Sequence, residues 1–221
     1  MDKEFLTDCG GIQPQSITER VFILDKSGSM AGAEKDTIGG FNAMIENQKQ
    51  FNGKVCVSTI LFSNFSEVLH DRKDLEEIKP LTQNDYCVGG CTALLDAIGD
   101  VINHISVIHK YIRKEDMPQK TIFIITTDGC ENASRKYNVA QIKKMIKSKE
   151  DQGWQFLFVA DNIDAIETAE SLGINKEHAA NYDAVDARMF FEEISESIHE
   201  FRETGCIPKT WAKKINKNKK D

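Results

Sequence analysis

Three uninterrupted apolar runs constrain this chain most: Val21-Phe22-Ile23-Leu24, Thr121 to Thr126 (TIFIIT) and Trp154 to Ala160 (WQFLFVA). A strand with one wet face alternates polar and apolar residues, so a strand without that alternation is covered on both faces. The runs are separated by stretches with the 3.6-residue spacing of a helix: Ile38, Phe41, Met44 and Ile45, then Leu95, Ile98, Ile102, Ile105, Ile108 and Ile112, then Val139, Ile142, Met145 and Ile146. A further helix carries Ile163, Ile166, Ala169 and Leu172, and the last, from Asp186 to Glu203, carries Phe190, Phe191, Ile194, Ile198 and Phe201. Alternating helices and doubly buried strands predict an α/β fold, a mostly parallel sheet between helices with right-handed crossovers.

One connection breaks the alternation. Val55 to Phe62 reads as a strand, Ser63-Asn64 supplies turn chemistry, and Glu67-Val68-Leu69-His70 reads as a second strand. The link is too short for a crossover, so these two strands pair antiparallel. Ala180 to Ala184 reads as a short edge strand.

With 221 residues, 40 % hydrophobic and 29 % charged, the chain has material for one sizeable core. No internal repeat or linker divides it. The expected layout is an N-terminal lead over 1–19, one domain over 20–203 and a basic tail over 204–221, where Lys213 to Lys220 (KKINKNKK) reads as solvated. A net charge of −7 repels a phosphate backbone and argues against nucleic acid as a partner. No run is long enough for a membrane span, and the first residues lack a secretory pattern, so a soluble, cytoplasmic protein is expected. In that setting the six cysteines are reduced thiols. None forms a CxxC pair, and His104 and His109 lie five apart, off the spacing that puts two ligands on one helix face.

Ligands of open α/β sheets bind beyond the carboxyl ends of the strands, so the residues there are read together. The first strand delivers Asp25, Ser27 and Ser29 on a turn bent by Gly28, the TIFIIT strand delivers Asp128, and Gly89-Gly90-Cys91 presents Thr92 at the start of a long helix. Two carboxylates and three hydroxyls are hard oxygen donors. They suit Mg²⁺, with Mn²⁺ or Ca²⁺ as alternatives, better than zinc or copper. Held largely by hydroxyls, such an ion keeps positive charge and an open position, which a carboxylate from another molecule can fill. Thr92 also stands where a helix N-cap would. Glu34 and Asp36 belong to a first helical turn, Asp96 reads as a solvated or capping acid, and Asp161 as a rim residue facing a partner.

Asp25-Lys26-Ser27-Gly28-Ser29-Met30 resembles the DxSxS motif of von Willebrand factor type A domains. Thr92 within GGCTALLDAIG and Asp128 within TTDG resemble the second and third elements of that family's metal-ion-dependent adhesion site, in the expected order over roughly residues 20–200. The small stand-alone prokaryotic members are the most similar kind. The resemblance implies a doubly wound, Rossmann-like sheet with one antiparallel edge strand and helices on both faces. It implies a metal touched by Ser27, Ser29 and Thr92, with Asp25 and Asp128 direct or through water. It also implies a non-enzymatic module that docks an Asp or Glu carboxylate of a protein partner inside an intracellular complex. Cys91 departs from the small residue many relatives carry before the threonine.

The competing reading is a Mg²⁺-dependent phosphoryl-transfer enzyme with Asp25 as nucleophile. Phosphatases of the haloacid-dehalogenase kind need a second acid two positions on, where this chain has Ser27. Nucleotide binding lacks its phosphate cradle, since neither GxxxxGK[ST] nor GxGxxG follows the first strand.

Overall fold

A computed structural model describes residues 16–51, 53–161, 164–181, 187–208 and 211, with side chains excluded for 187–190. Most of the N-terminal lead, the KKINKNKK tail, Cys9, Ile163, residues 182–184 and the Phe190 side chain lie outside the described residues.

The chain runs β1 (Thr18–Asp25), α1 (Glu34–Lys49), β2 (Val55–Phe62), β3 (Ser66–Asp74), α2 (Leu94–Tyr111), β4 (Lys120–Thr127), α3 (Val139–Glu150), β5 (Gln155–Ala160), α4 (Ala165–Leu172), β6 (Ala179–Asn181) and α5 (Ala187–Thr204). The six strands form one sheet in the order β3-β2-β1-β4-β5-β6. Only β2 and β3 pair antiparallel, as their short turn requires. The pairing slips between Val57 and Ile60, and Arg72 takes a left-handed φ of 47° there, so the outer strand is bulged.

Alternation within β1 sorts the core into two layers. Phe22 and Leu24 face α1 and α5, packing with Phe41, Met44, Ile194, Ile198 and Phe201. Val21 and Ile23 face the other way, with Leu95, Ile98, Ile102 and Ile105 of α2 and with Ile142 and Ile146 of α3. The continuous apolar runs are therefore the strands with helices over both faces, and the sheet is doubly wound. The helix contact between α1 and α5 is close: a Cβ added to Gly40 would lie 2.0 Å from the Phe191 ring. Beyond α5, Ile207 and Trp211 are buried in the same layer, and the Trp211 indole donates to the Glu177 carbonyl at 2.6 Å.

Chain connections leave β1 toward β2 on one side and reach β4 on the other. That reversal opens a crevice at the carboxyl ends of β1 and β4. No helix among the described residues is long and apolar enough to cross a membrane.

Candidate metal centre

Register brings the first two acids together. Leu24 pairs with Thr126 across β1 and β4, which sets Asp25 beside Thr127. The Thr127 hydroxyl donates to Asp25 Oδ2 at 2.5 Å and the Ser27 amide to Oδ1 at 2.7 Å. The Tyr86 hydroxyl donates to the Asp25 carbonyl. Asp25 is fully buried, and burial pushes its carboxyl above the usual carboxylate range against those hydrogen bonds.

After Asp25 the chain makes one 3-10 turn over Gly28–Met30, which leaves the Ser27 and Ser29 hydroxyl oxygens 3.0 Å apart. The turn is zipped to the glycine loop: the Gly28 amide donates to Gly90 O at 2.9 Å, and the Gly89 amide to Lys26 O at 2.8 Å. Gly90 has φ 86°, and a Cβ there would meet Asn64 Oδ1 at 2.1 Å, so the close approach of that side chain requires glycine. The same Asn64 oxygen accepts from the Cys91 amide at 3.0 Å and anchors the loop just before Thr92.

Thr92 is clasped by Asn132, whose Oδ1 accepts from the Thr92 amide at 2.9 Å while its own amide donates to Thr92 O at 3.0 Å. The expected N-cap role does not hold. Helix α2 begins at Leu94 after Ala93, with no side-chain cap, and Glu131 accepts from the Leu95 amide instead at 3.0 Å. The hydroxyl of Thr92 is thereby left for the crevice.

Asp128 follows β4, almost fully buried, and accepts from the Ser29 hydroxyl at 2.5 Å. Burial raises its carboxyl pKa, the Ser29 hydrogen bond opposes the rise, and the charges of Asp25 and Asp161 add to it. Gly129 closes the ring: a Cβ there would lie 2.8 Å from Ser29 Oγ and 3.1 Å from Thr92 Oγ1. Four of the sequence-predicted side chains, Ser27, Ser29, Thr92 and Asp128, thus meet around one small space, and Asp25 adjoins it through the Thr127 hydroxyl, which also bonds Gly129. Lys26 turns away to Glu67, 2.5 Å distant.

Three supports were not legible in advance: Thr127, Asn132 and Glu131. Glu131 also accepts from the amides of Ala133 and Ser134, and Asp96 accepts from those of Arg135, Lys136 and Tyr137. Asp96 is therefore a loop anchor, and its carboxyl is held below its usual range by those amides despite the cost of its burial. Only the Ser, Asn and Glu cluster after Asp128 hinted at such a role.

These residues fit a hard divalent cation. The donors are oxygens alone, a glycine keeps open the space between two hydroxyls that any side chain would fill, and no basic side chain among the described residues pairs with Asp25 or Asp128. Among the described residues no three His, Cys, Asp or Glu side chains are grouped to hold a metal ion, so a cation here would rest on the hydroxyls as much as on the two carboxylates.

No family model matches the chain, and no curated protein matches it. Solved structures do. The vWF domain of the type V pili tip protein Mfa5 from Porphyromonas gingivalis superposes with a TM-score of 0.65 at 11 % identity, over 84 % of this chain and 96 % of that one. Proximal thread matrix protein 1 from the mussel byssus, with a zinc-occupied MIDAS motif, gives 0.56 at 12 %, over 84 % of this chain and 46 % of that one. This chain thus spans less than half of the mussel protein. Manganese-loaded TRAP protein from Plasmodium vivax gives 0.54 at 14 %, over 80 % and 72 %. At such identities the likeness is one of architecture: this chain has the fold of a von Willebrand factor type A domain.

Proposed function

We propose that this chain is a protein-interaction module that captures an Asp or Glu carboxylate of a partner through a divalent cation. Asp25, Ser27, Ser29, Thr92 and Asp128 hold the ion. The observation that carries the reading is that the Ser29 and Thr92 hydroxyls meet beside Gly129, with Ser27 and Asp128 bonded to Ser29 and Asp25 joined through the Thr127 hydroxyl. Support comes also from the zinc-occupied and manganese-loaded sites of two proteins that share the fold. Mg²⁺ is the expected ion because every donor is a hard oxygen, with Mn²⁺ or Ca²⁺ as alternatives. Cys56, Cys87, Cys91, Cys130 and Cys206 are free thiols, which fits a reducing, cytoplasmic setting.

When bound, the cation supplies a Lewis-acidic position for the partner's carboxylate. The chain's own part is to fix the donors. Thr127 and the Ser27 amide orient Asp25, while Asn132 orients Thr92. The phosphoryl-transfer reading fits less well, because both Asp25 oxygens already accept hydrogen bonds inside the fold and neither is presented for attack.

Calorimetry with Mg²⁺ tests the site. Saturable binding to the native chain, lost in Asp25→Ala and in Thr92→Val, is the expected result. Equal affinity in all three proteins would end the proposal.

A further inference from the structure

A cavity of about 450 Å³ opens at the pole of the sheet opposite Asp25, between the last turns of α2 and α3 and the start of β4. Its walls include His109 and Lys110 from α2, Lys149 from α3, and Gln119, Gln152 and Trp154 from the flanking loops. No Asp or Glu lines it, although the whole chain carries a charge of −7. Basic groups gathered without acids on an acidic protein make a local positive field, and a cavity focuses it.

Two of the basic groups are set by contacts within the cavity wall. The Lys149 ammonium sits over the Trp154 ring, 4.8 Å from its centre, and donates to Gln152 Oε1 at 3.2 Å. It is half-buried, and burial lowers its pKa. Among the described residues neither Lys149 nor Lys110 forms an ion pair. The His109 ring stands edge-on to Trp154, with Nε2 2.5 Å from Glu19 Oε2. Glu19 is fully buried on β1 and also accepts from Arg72 Nε at 3.0 Å. Its single negative charge is therefore balanced by Arg72, and it lends His109 orientation while adding no net negative charge to the cavity. With Nε2 donating to Glu19, Nδ1 is the ring nitrogen left over, and it donates to an anion when the ring is protonated.

We infer that this cavity binds a small phosphate-class anion, either free phosphate or a small phosphate monoester. The Lys149 ammonium and the Gln152 amide form one wall and the His109 ring another, with the exposed Lys110 ammonium at the rim, 5.2 Å from the Tyr111 ring centre. Such a set matches a tetrahedral anion with oxygens in several directions, whereas a planar carboxylate presents two oxygens in one plane. The inference is independent of the metal site.

The chain has two tryptophans, so a nitrogen–proton correlation spectrum of the full-length protein carries two indole signals, and Trp211→Phe assigns them. Inorganic phosphate and glycerol 3-phosphate are titrated separately in Mg²⁺-free buffer at constant ionic strength, with succinate as the planar control. The expected result is a saturable shift of the Trp154 signal with either phosphate compound, a still Trp211 signal, and affinity weakened about tenfold or more in Lys149→Met. Lys110→Met is the second variant should Lys149→Met fail to fold. An unsaturated response up to about 10 mM phosphate, an equal response to succinate, or unchanged affinity in the folded lysine variant would overturn the inference.

Discussion

The Ser29 hydroxyl donates to Asp128 Oδ1 at 2.5 Å and ties the turn after β1 to the loop after β4. That bond places an acid raised by burial, and by the charge of nearby Asp25, against a group that can also face a cation. Removing one charge should relieve the apoprotein. Asp128→Asn is expected to melt no lower than the native chain without metal and to lose stabilisation by Mg²⁺. In the native chain that stabilisation should reach about 2.7 kcal/mol at a hundredfold excess over Kd. Melting curves across a Mg²⁺ titration check this, and an undiminished Mg²⁺ shift in the variant would remove Asp128 from the ligand set.

Gly129→Ala separates binding from folding. Its methyl group would crowd Ser29 Oγ and Thr92 Oγ1, yet the backbone there needs no left-handed conformation. The fold should persist while Mg²⁺ affinity falls about 10- to 100-fold by calorimetry. Gly40→Ala should do the reverse, since its methyl would strike Phe191 between α1 and α5. A loss of about 1–3 kcal/mol in urea unfolding with Mg²⁺ affinity intact is expected.

Acid should weaken the fold through two histidines. Burial lowers the pKa of His70 and of His178 below the ordinary 6.5; Lys73 adds to the shift at His70, and Glu177 opposes it at His178. The unfolded chain takes up these protons near 6.5, and the native chain resists them until lower pH. Stability contributed by the neutral rings is therefore present above about pH 6.5 and lost as pH falls through the native values. Urea midpoints for the native chain and for the double variant His70→Gln, His178→Gln should converge in acid. The native curve should be steeper by up to about 1.4 kcal/mol per pH unit for each ring. Asp25 and Asp128, raised by burial, bias both curves equally in the opposite direction and cancel in the difference.

Arg20 is buried with Nε, Nη1 and Nη2 unpartnered among the described residues, and burial together with the charge of Arg202 pushes its guanidinium down to about 9. An uncompensated buried cation opposes folding. Arg20→Met should raise urea stability by about 1–4 kcal/mol, and a less stable variant would mean that the guanidinium is structurally required.

Thiol reactivity should divide by position. Burial and the charge of Glu19 push the Cys56 thiol up to about 11, while Cys87, Cys91, Cys130 and Cys206 are exposed. Iodoacetamide at neutral pH should modify those four well before Cys56, as peptide mass spectrometry will show.

The layout of the sheet was legible because Val21-Phe22-Ile23-Leu24 and TIFIIT lack alternation, and a strand without a wet face needs helices on both sides. The hairpin followed from the shortness of Ser63-Asn64. The positions of Asp25, Ser27, Ser29 and Asp128 were legible because they follow strands β1 and β4 at one pole, and that of Thr92 because a glycine loop precedes the long helix α2. Their supports were not, since a clasp such as Asn132 on Thr92 joins residues 40 positions apart. Nor did the spacing reveal that Glu19, beside Arg20 on an apolar strand, meets His109 from a helix 90 residues on. Such contacts depend on which loops the folded sheet brings together, and local periodicity carries no record of them.

The bulge at Arg72 has a consequence for the molecule among its own copies. An open sheet border is a template on which foreign backbone can zip, and β3 is that border on one side, nine residues long. Its left-handed kink at Arg72 and its Glu67, Asp71 and Lys73 side chains spoil the straight, neutral rail such zipping requires. The other border, β6, offers three residues among those described. Kinked and charged along its length, the β3 border is thus a poor rail for a second copy of the chain.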